Sequence, residues 1–269
     1  MRSTYRMTAV AERTPSRRRV VSGLLASASA VALSGCDRLS QSPWFRENVL
    51  HIGEDINTAV QRFLLRPTSL AREFPASEIS TKFRANGSTD PDDPAYRAMA
   101  ANGFVDWKLK VGGLVETPME FSLAELRALP AREQITRHDC VEGWSCIGQW
   151  KGVQLATVLQ MVKLKPQARY ILFTCADELE KTLDGSGRYY ETHGLEDAFH
   201  PQTILAYDMN GAALTVPHGA PLRLRTERTL GYKMAKYIMS IDAIDSFADL
   251  GGGHGGFWED RGYDWYAGI

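Results

Sequence analysis

The sequence lacks the short motifs that identify several large enzyme classes. It has no CxxC pair and no HExxH helix, which argues against the compact zinc modules, and no CxxCH for covalently attached haem. GxSxG is also missing, which removes the usual serine-hydrolase hypothesis. The run GGGHGG at residues 251–256 has no Lys-Ser/Thr after it. We therefore expect a flexible closing segment there rather than a phosphate-binding loop.

Cysteine is scarce: the 269 residues include Cys36, Cys140, Cys146 and Cys175. Cys140 follows a predicted strand, EQITRH, and precedes a loop, so its thiolate could be a soft ligand for a transition metal. The alternative is a buried apolar cysteine. Cys146 and Cys175 could form a disulfide in an oxidising compartment, or each could fill core space. A zinc site of His138 and the last three cysteines matches no compact spacing.

Long hydrophobic runs are also absent, including at the amino terminus. The stretch SRRRVVSGLLASASAVALSGC, residues 16–36, places arginines before about sixteen mostly apolar residues, fewer than the roughly twenty that a membrane span needs. Paired arginines before such a run predict a twin-arginine signal peptide over residues 1–35, and hence a periplasmic protein. Leu33-Ser34-Gly35-Cys36 resembles a bacterial lipobox, which predicts lipidation of Cys36. The alternative is a plain signal peptide in which Cys36 is incidental.

The remainder of the chain is mildly acidic. Six of the 31 basic residues and one of the 32 acidic residues lie within residues 1–35, which leaves 25 basic and 31 acidic residues over 36–269. A net charge of −6 on that body argues against general affinity for nucleic acid. We expect membrane contact only through a lipid anchor or a partner.

The pattern beyond the leader indicates one domain with an N-terminal extension. Residues 36–78 read as a tether and an amphipathic helix that stops near Pro67, and residues 79–269 as the main domain. Short strands alternate there with short helices, one of them opened by Ser122 and Glu125 at capping-box spacing. The predicted fold class is α+β, mostly β-sheet with short helices.

A basic cluster stands out within this acidic body. The stretch HGAPLRLRTERTLGYKMAKY, residues 218–237, contains His218, Arg223, Arg225 and Lys236 among its cations. Arg223 and Arg225 share a face if the stretch is a strand, which predicts an anion site that receives a phosphate. The alternative is a solvated strand edge. KFRANG, residues 82–87, could add an arginine and an amide.

Four stretches together resemble one family. They are FRANG (83–87), RHDCVEGWSCIGQWKGVQL (137–155), HGAPLRLRTERTLGYKMAKYI (218–238) and GGGHGGFWEDRGYDWYAGI (251–269). Over about residues 79–269 the chain resembles the sulfite oxidase family of molybdopterin-dependent oxidoreductases, and within it the exported bacterial branch that includes periplasmic methionine sulfoxide reductases. The resemblance implies a sulfite-oxidase-type molybdopterin-binding domain and a molybdenum–molybdopterin cofactor.

The resemblance also implies a site. Cys140, by its position, would be the molybdenum ligand and the catalytic residue, with the residues around it forming a dry wall. The residues expected to bind the cofactor are Phe83, Arg84, Asn86, Cys140, Cys175, His218, Arg223, Met234, Ala235 and Lys236.

The expected activity is two-electron oxygen-atom transfer on a small S- or N-oxide, an oxidised protein or a sulfite-like substrate. The chain has no haem, flavin or iron–sulfur motif, so electrons must pass through a separate protein; the branch implies a membrane haem subunit. Gly143, Cys146 and His218 depart from the reductases of this branch. They motivate an alternative of another class, a non-catalytic lipoprotein binding module that retains the molybdopterin-binding fold. Purely structural thiols are a third option, which predicts a Cys146–Cys175 disulfide and no metal.

Overall fold

The structure is a computed structural model that describes residues 42–45, 51–182, 185 and 187–269. The predicted signal peptide, Cys36 and most of the predicted tether lie outside the described residues. Residues 56–269 form one compact unit, and the predicted boundary at residue 79 stays a prediction. Among the described residues, no helix combines the length and apolar character needed to cross a bilayer.

Two five-stranded sheets make up most of this unit. The first has the order β2-β1-β10-β5-β6, in which β1 and β10 are parallel and the other pairs antiparallel. Its strands are β1 (Lys108–Gly113), β2 (Met119–Ser122), β5 (Tyr170–Glu178), β6 (Arg188–Gly194) and β10 (Ile238–Ile244). The main hydrophobic cluster includes inward side chains of this sheet, such as Leu109, Phe173 and Ile241.

The second sheet has the order β3-β4-β7-β8, and β9 pairs with β7. Its strands are β3 (Ala131–Asp139), β4 (Ser145–Gln154), β7 (Ile204–Met209), β8 (Ala212–Ala213) and β9 (Arg223–Arg225). β3 and β4 form a long antiparallel hairpin whose register runs to Asp139 opposite Ser145. Cys140 therefore lies in the loop that closes this hairpin.

Short helices connect the strands. They are α1 (Pro43–Phe45), α2 (His51–Leu64), α3 (Pro94–Ala101), α4 (Leu123–Ala128), α5 (Leu155–Val162) and α6 (Leu195–Ala198). The predicted capping box is present, because the Ser122 hydroxyl accepts from the Glu125 N–H while the Glu125 carboxylate accepts from the Ser122 N–H. Leu155 and Leu159 of α5 are fully buried. The predicted α+β class, sheet-rich with short helices, is confirmed.

The closing segment differs from its expectation. Phe257 and Glu259 are buried, and the Phe257 N–H donates to the Tyr190 carbonyl of β6. Lys233 Nζ lies 2.5 Å from carboxylate oxygens of both Glu191 and Glu259, so a buried ion pair joins the tail to β6. The expectation of a flexible tail was wrong because glycine content alone does not reveal the apolar and charged anchors that follow it.

A close strand contact generates the first prediction. A Cβ on Gly152 of β4 would lie 2.1 Å from the Leu205 carbonyl oxygen of β7, a distance that only a backbone shift can relieve. Gly152→Ala should lower the free energy of unfolding by about 3 kcal/mol, measured by urea denaturation. The control is Gly53→Ala in α2, where the added Cβ meets no atom within 4 Å and should stabilise by at most about 1 kcal/mol. Equal effects of the two substitutions would contradict this account of the β4–β7 contact.

Candidate functional site

Cys140 occupies a tight turn at the end of the β3–β4 hairpin. Its N–H donates to the Trp144 carbonyl (2.9 Å), and its carbonyl accepts from the Gly143 N–H (3.0 Å). Gly143 has φ +83°, the left-handed conformation that glycine adopts at least cost. Cys140 is half-buried, and its thiol forms no disulfide. Burial raises the pKa of the Cys140 thiol, so a cationic metal is what would convert it to the thiolate.

The outer side of this turn carries polar groups. The Trp144 indole N–H donates to Glu142 (2.9 Å), and the Arg84 guanidinium lies 3.7 Å from the same carboxylate. Arg84 also stacks over the Trp144 ring, 5.3 Å from its centroid. The Arg84 side chain is 63% exposed, so it lies at the rim of the site rather than in the buried part.

Phe83 links the hairpin to the basic cluster. Its ring centroid lies 5.7 Å from that of His138 on β3, 5.3 Å from Trp150 on β4 and 5.9 Å from His218. The predicted residues Phe83 and His218 are thus brought together beside the strand that ends at Cys140. The sequence analysis gave Trp150 no role. In the structure its buried ring forms the floor of this region, the surface against which Phe83 and the two arginines of β9 pack.

The two arginines of β9 share one face, as predicted, and stack on that floor. The Arg223 and Arg225 guanidinium carbons lie 4.9 and 4.4 Å from the Trp150 ring centroid, within the range of a cation–π interaction. Both side chains are fully buried. The alternative of a solvated strand edge is therefore wrong.

The charges of the two arginines are balanced differently. Arg225 makes two hydrogen bonds to Glu227, at 3.0 and 2.6 Å. Arg223 donates from Nη1 to the His218 carbonyl (3.1 Å), while its Nε and Nη2 have no partner within the part of the chain that the structure describes. Burial and then the neighbouring Arg225 lower the pKa of Arg223 to about 9. A buried cation without a carboxylate is costly unless an anion binds there.

A cleft with a cavity volume of about 40 Å³ lies near these residues, although Arg223 and Arg225 are not part of its lining. Three residues expected to bind the cofactor line it: Asn86, Met234 and Lys236. Lys236 Nζ donates to the carbonyls of Asn86 (2.6 Å) and Ser88. Burial, followed by the charge of Arg223, lowers the pKa of Lys236 to about 7. The cleft lining therefore combines a cation, Lys236, with the carboxyl group of Asp177, and the two interact electrostatically.

Other cleft residues escaped the sequence analysis. They are Gly87, Ser88, Asp177, Leu179, Tyr189, Gly231, Tyr232 and Trp258. Burial raises the pKa of Asp177 to about 6, a perturbation that marks candidate functional groups. Asp177 lies next to the last residue of β5, and the sequence of this strand is that of an ordinary buried strand. No local pattern therefore marks Asp177 as a functional residue.

The remaining predicted residues lie outside this lining. Cys175 and Ala235 are fully buried in the main hydrophobic cluster. Cys140 is not among the residues that line the cleft, but it follows Asp139, whose carbonyl oxygen lies 3.2 Å from where a Cβ on Gly231 would be. The cofactor roles assigned to these residues stay predictions.

The competing uses of the thiols find no support. Cys140, Cys146 and Cys175 are all free, so the Cys146–Cys175 disulfide is absent. The described residues contain no group of three or more histidine, cysteine or carboxylate side chains able to hold a metal. A centre with one protein ligand is compatible with this.

The donor set fits the pyranopterin phosphate that the sequence predicted. The Arg223 nitrogens that lack a partner among the described residues offer donors to phosphate oxygens, whereas the buried Lys236 ammonium already donates to the carbonyls of Asn86, Ser88 and Pro217 and contributes charge. Residues 97–249 match the family described as the oxidoreductase molybdopterin binding domain. The chain belongs to this family. The predicted family is confirmed, and the protein is a molybdenum-dependent oxidoreductase.

Named relatives refine this picture. A putative protein-methionine-sulfoxide reductase subunit, YedZ1 of Azospira oryzae, is 38% identical over 82% of this chain and 77% of its own length. The protein-methionine-sulfoxide reductase catalytic subunits MsrP of Xanthomonas axonopodis and Campylobacter jejuni are 34% and 33% identical, over 60% and 51% of this chain. The chain spans about half the length of these two subunits, 52% and 48%.

Among solved structures, the sulfane dehydrogenase SoxCD from Paracoccus pantotrophus is similar with a TM-score of 0.47 and 22% identity. The match covers 53% of this chain and 39% of the SoxCD chain.

The unequal charge balance of the molybdopterin-binding domain gives the second prediction. In cofactor-free protein, Arg223→Met removes an uncompensated buried cation and should stabilise by about 1–3 kcal/mol, whereas Arg225→Met strands Glu227 and should cost about 3–5 kcal/mol. The same Arg223→Met substitution should abolish molybdenum retention. Urea denaturation and metal analysis measure the two effects. Destabilisation of the cofactor-free protein by Arg223→Met would show that Arg223 serves the fold rather than a bound anion.

Proposed function

We propose that the protein reduces a sulfoxide by two-electron oxygen-atom transfer at a molybdenum–molybdopterin centre in which Cys140 is the protein ligand. One observation carries the proposal: Arg223, a fully buried cation with two nitrogens that lack a partner among the described residues, interacts electrostatically with Lys236 of the cleft lining, and the β3–β4 hairpin presents the free thiol of Cys140. In a chain of this family, an anionic cofactor accounts for both features.

Each part of the site has a task in this proposal. Arg223 and Lys236 hold the phosphate, while Asn86, Phe83 and His218 border the pterin. The cofactor, when bound, supplies the two-electron chemistry at its metal. The rings of Phe83, Trp144 and Trp150 exclude water from the side on which Cys140 lies, which strengthens the electrostatic interactions of the buried cations.

The proposed substrate class rests on the relatives and on the rim. Three relatives are named as methionine-sulfoxide reductase subunits. Arg84 and Glu142 are more than half exposed at the outer face of the Cys140 turn, so a sulfoxide carried on a protein surface can approach this rim. We therefore place methionine sulfoxide, free or within an oxidised protein, ahead of N-oxides and sulfite.

We propose that the electron donor is a separate membrane haem protein and that the two proteins interact in the periplasm.

The exposed face of α2 supports a location of this protein at a membrane. Its Gln61 Nε2 donates to the Gly268 carbonyl (2.9 Å), whereas Ile56, Val60 and Phe63, which lie on another face of the helix, are 58%, 47% and 88% exposed. Exposed apolar side chains in a row along a helix mark an interaction surface. A partner protein, or the membrane to which a lipid anchor would hold the protein, could cover this one.

Exchange of the proposed ligand tests the function. Cys140→Ser should lower methionine sulfoxide reduction with an artificial donor at least about 100-fold and should alter the paramagnetic signal of molybdenum, because a hydroxyl is a harder and weaker ligand. Cys146→Ser is the matched control, since Cys146 is also free and half-buried, and should keep both activity and signal.

Two results would refute the proposal. The first is less than about 0.1 equivalent of molybdenum in the wild type from a molybdenum-competent host; the second is an unchanged signal in Cys140→Ser. Sulfite and N-oxides belong in the same assay, because robust turnover of either without sulfoxide turnover would reassign the substrate.

A further inference from the structure

His138 is a buried residue next to the proposed metal ligand. It lies on β3, two residues before Cys140, and pairs with Cys146 across the hairpin. Gln134, Thr136 and His138 are all buried along one face of β3. Side chains alternate along a strand, so Cys140 continues this face at the point where the strand ends. The imidazole thus lies one strand step below the Cys140 turn.

Arg225 determines which nitrogen of this imidazole carries the proton. Its Nη1 lies 2.9 Å from His138 Nδ1. A guanidinium has only donors, so Nδ1 must accept and the proton must reside on Nε2. Arg225 itself is held by Glu227 and stacked on Trp150. The Nε2–H tautomer is therefore fixed by a rigid neighbour.

The Nε2–H group is buried but has no protein partner in the described ranges. An unsatisfied buried donor costs free energy, so a partner is expected. The Cε1–Nε2 edge of the ring lies against Gly231, where a Cβ would be 2.4 Å from Nε2. Gly231 lines the cleft. Because Gly231 has no side chain, the free donor lies directly behind this part of the lining of the space in which we place the cofactor.

We propose that His138 donates a hydrogen bond from Nε2–H to an oxygen or sulfur acceptor of the molybdopterin centre, with Arg225 as the positioning residue that fixes the tautomer. The inference rests on the proposed function, because it needs the cofactor at Cys140. It adds a binding contact that links the metal ligand to the buried Arg225–Glu227 pair. Phe83 and Trp144, whose ring centroids lie 5.7 and 5.6 Å from that of His138, hold the ring in place.

Two isosteric substitutions separate the two ring nitrogens. An asparagine amide lies about where Nδ1 does, so His138→Asn keeps an acceptor for Arg225 and loses the distal donor. A glutamine amide reaches the position of Nε2, so His138→Gln keeps that donor. Holoenzyme should release molybdenum in mild urea about tenfold faster in His138→Asn than in wild type, whereas His138→Gln should stay within about twofold. The paramagnetic molybdenum signal should shift only in His138→Asn.

The controls separate this inference from its premise. Wild type without molybdenum, or Cys140→Ser with an unchanged signal, would refute the proposed function itself. Wild type with molybdenum and His138→Asn with unchanged release and signal would overturn the role of His138 alone. Cofactor-free His138→Asn should melt no lower than cofactor-free His138→Gln, because it keeps the acceptor for Arg225. Faster molybdenum release from His138→Asn is then not a purely structural effect.

A second measurement uses only wild-type protein, so it tests the proposal even if neither variant folds. Long-range ¹H–¹⁵N NMR of the wild-type holoenzyme, oxidised and diamagnetic, reports the tautomer of His138 directly. The Nε2–H form at neutral pH supports the proposal. A proton on Nδ1, alone or together with Nε2, would overturn it.

Discussion

The packing of two guanidinium groups against one indole ring organises the whole site. Trp150 faces both Arg223 and Arg225 because the three residues belong to neighbouring strands of one sheet, β4 and β9 meeting through β7. Like charges this close repel each other, and the repulsion contributes to the lowered pKa of Arg223. Glu227 neutralises Arg225. The positive charge of Arg223 remains, and a bound anion would balance it.

The β3–β4 hairpin connects this charged floor to the soft ligand. Its register places His138 opposite Cys146 and Asp139 opposite Ser145, so the turn at Cys140 projects beyond the last paired residues. A slip of one residue would turn His138 outward and separate it from Arg225. Metal ligand, hydrogen-bond donor and phosphate site are thus held in one arrangement by strand pairing, which suits a reaction that depends on a fixed cofactor geometry.

Sequence reasoning reached much of the fold and the outline of the site. The capping box at Ser122, the strand before Cys140 and the shared face of Arg223 and Arg225 follow from local sequence pattern, which is set by bonds within each element. The stacking on Trp150 and the contact between His138 and Arg225 join residues about 75 and 87 positions apart, and no local pattern encodes them. Asp177 and the packed tail were missed for the same reason, since both depend on which strands become neighbours.

The charge distribution also implies that binding of the cofactor raises the free energy of unfolding. Burial of Arg223 without a carboxylate partner costs free energy in the cofactor-free chain, and a bound anion recovers part of that cost, by an amount that grows with its affinity and concentration. Folding and cofactor binding are therefore coupled through this side chain. Such coupling favours assembly in the compartment where the cofactor is made, followed by transfer of the folded protein. That order agrees with the twin-arginine leader that the first residues predict, because this route carries proteins already folded.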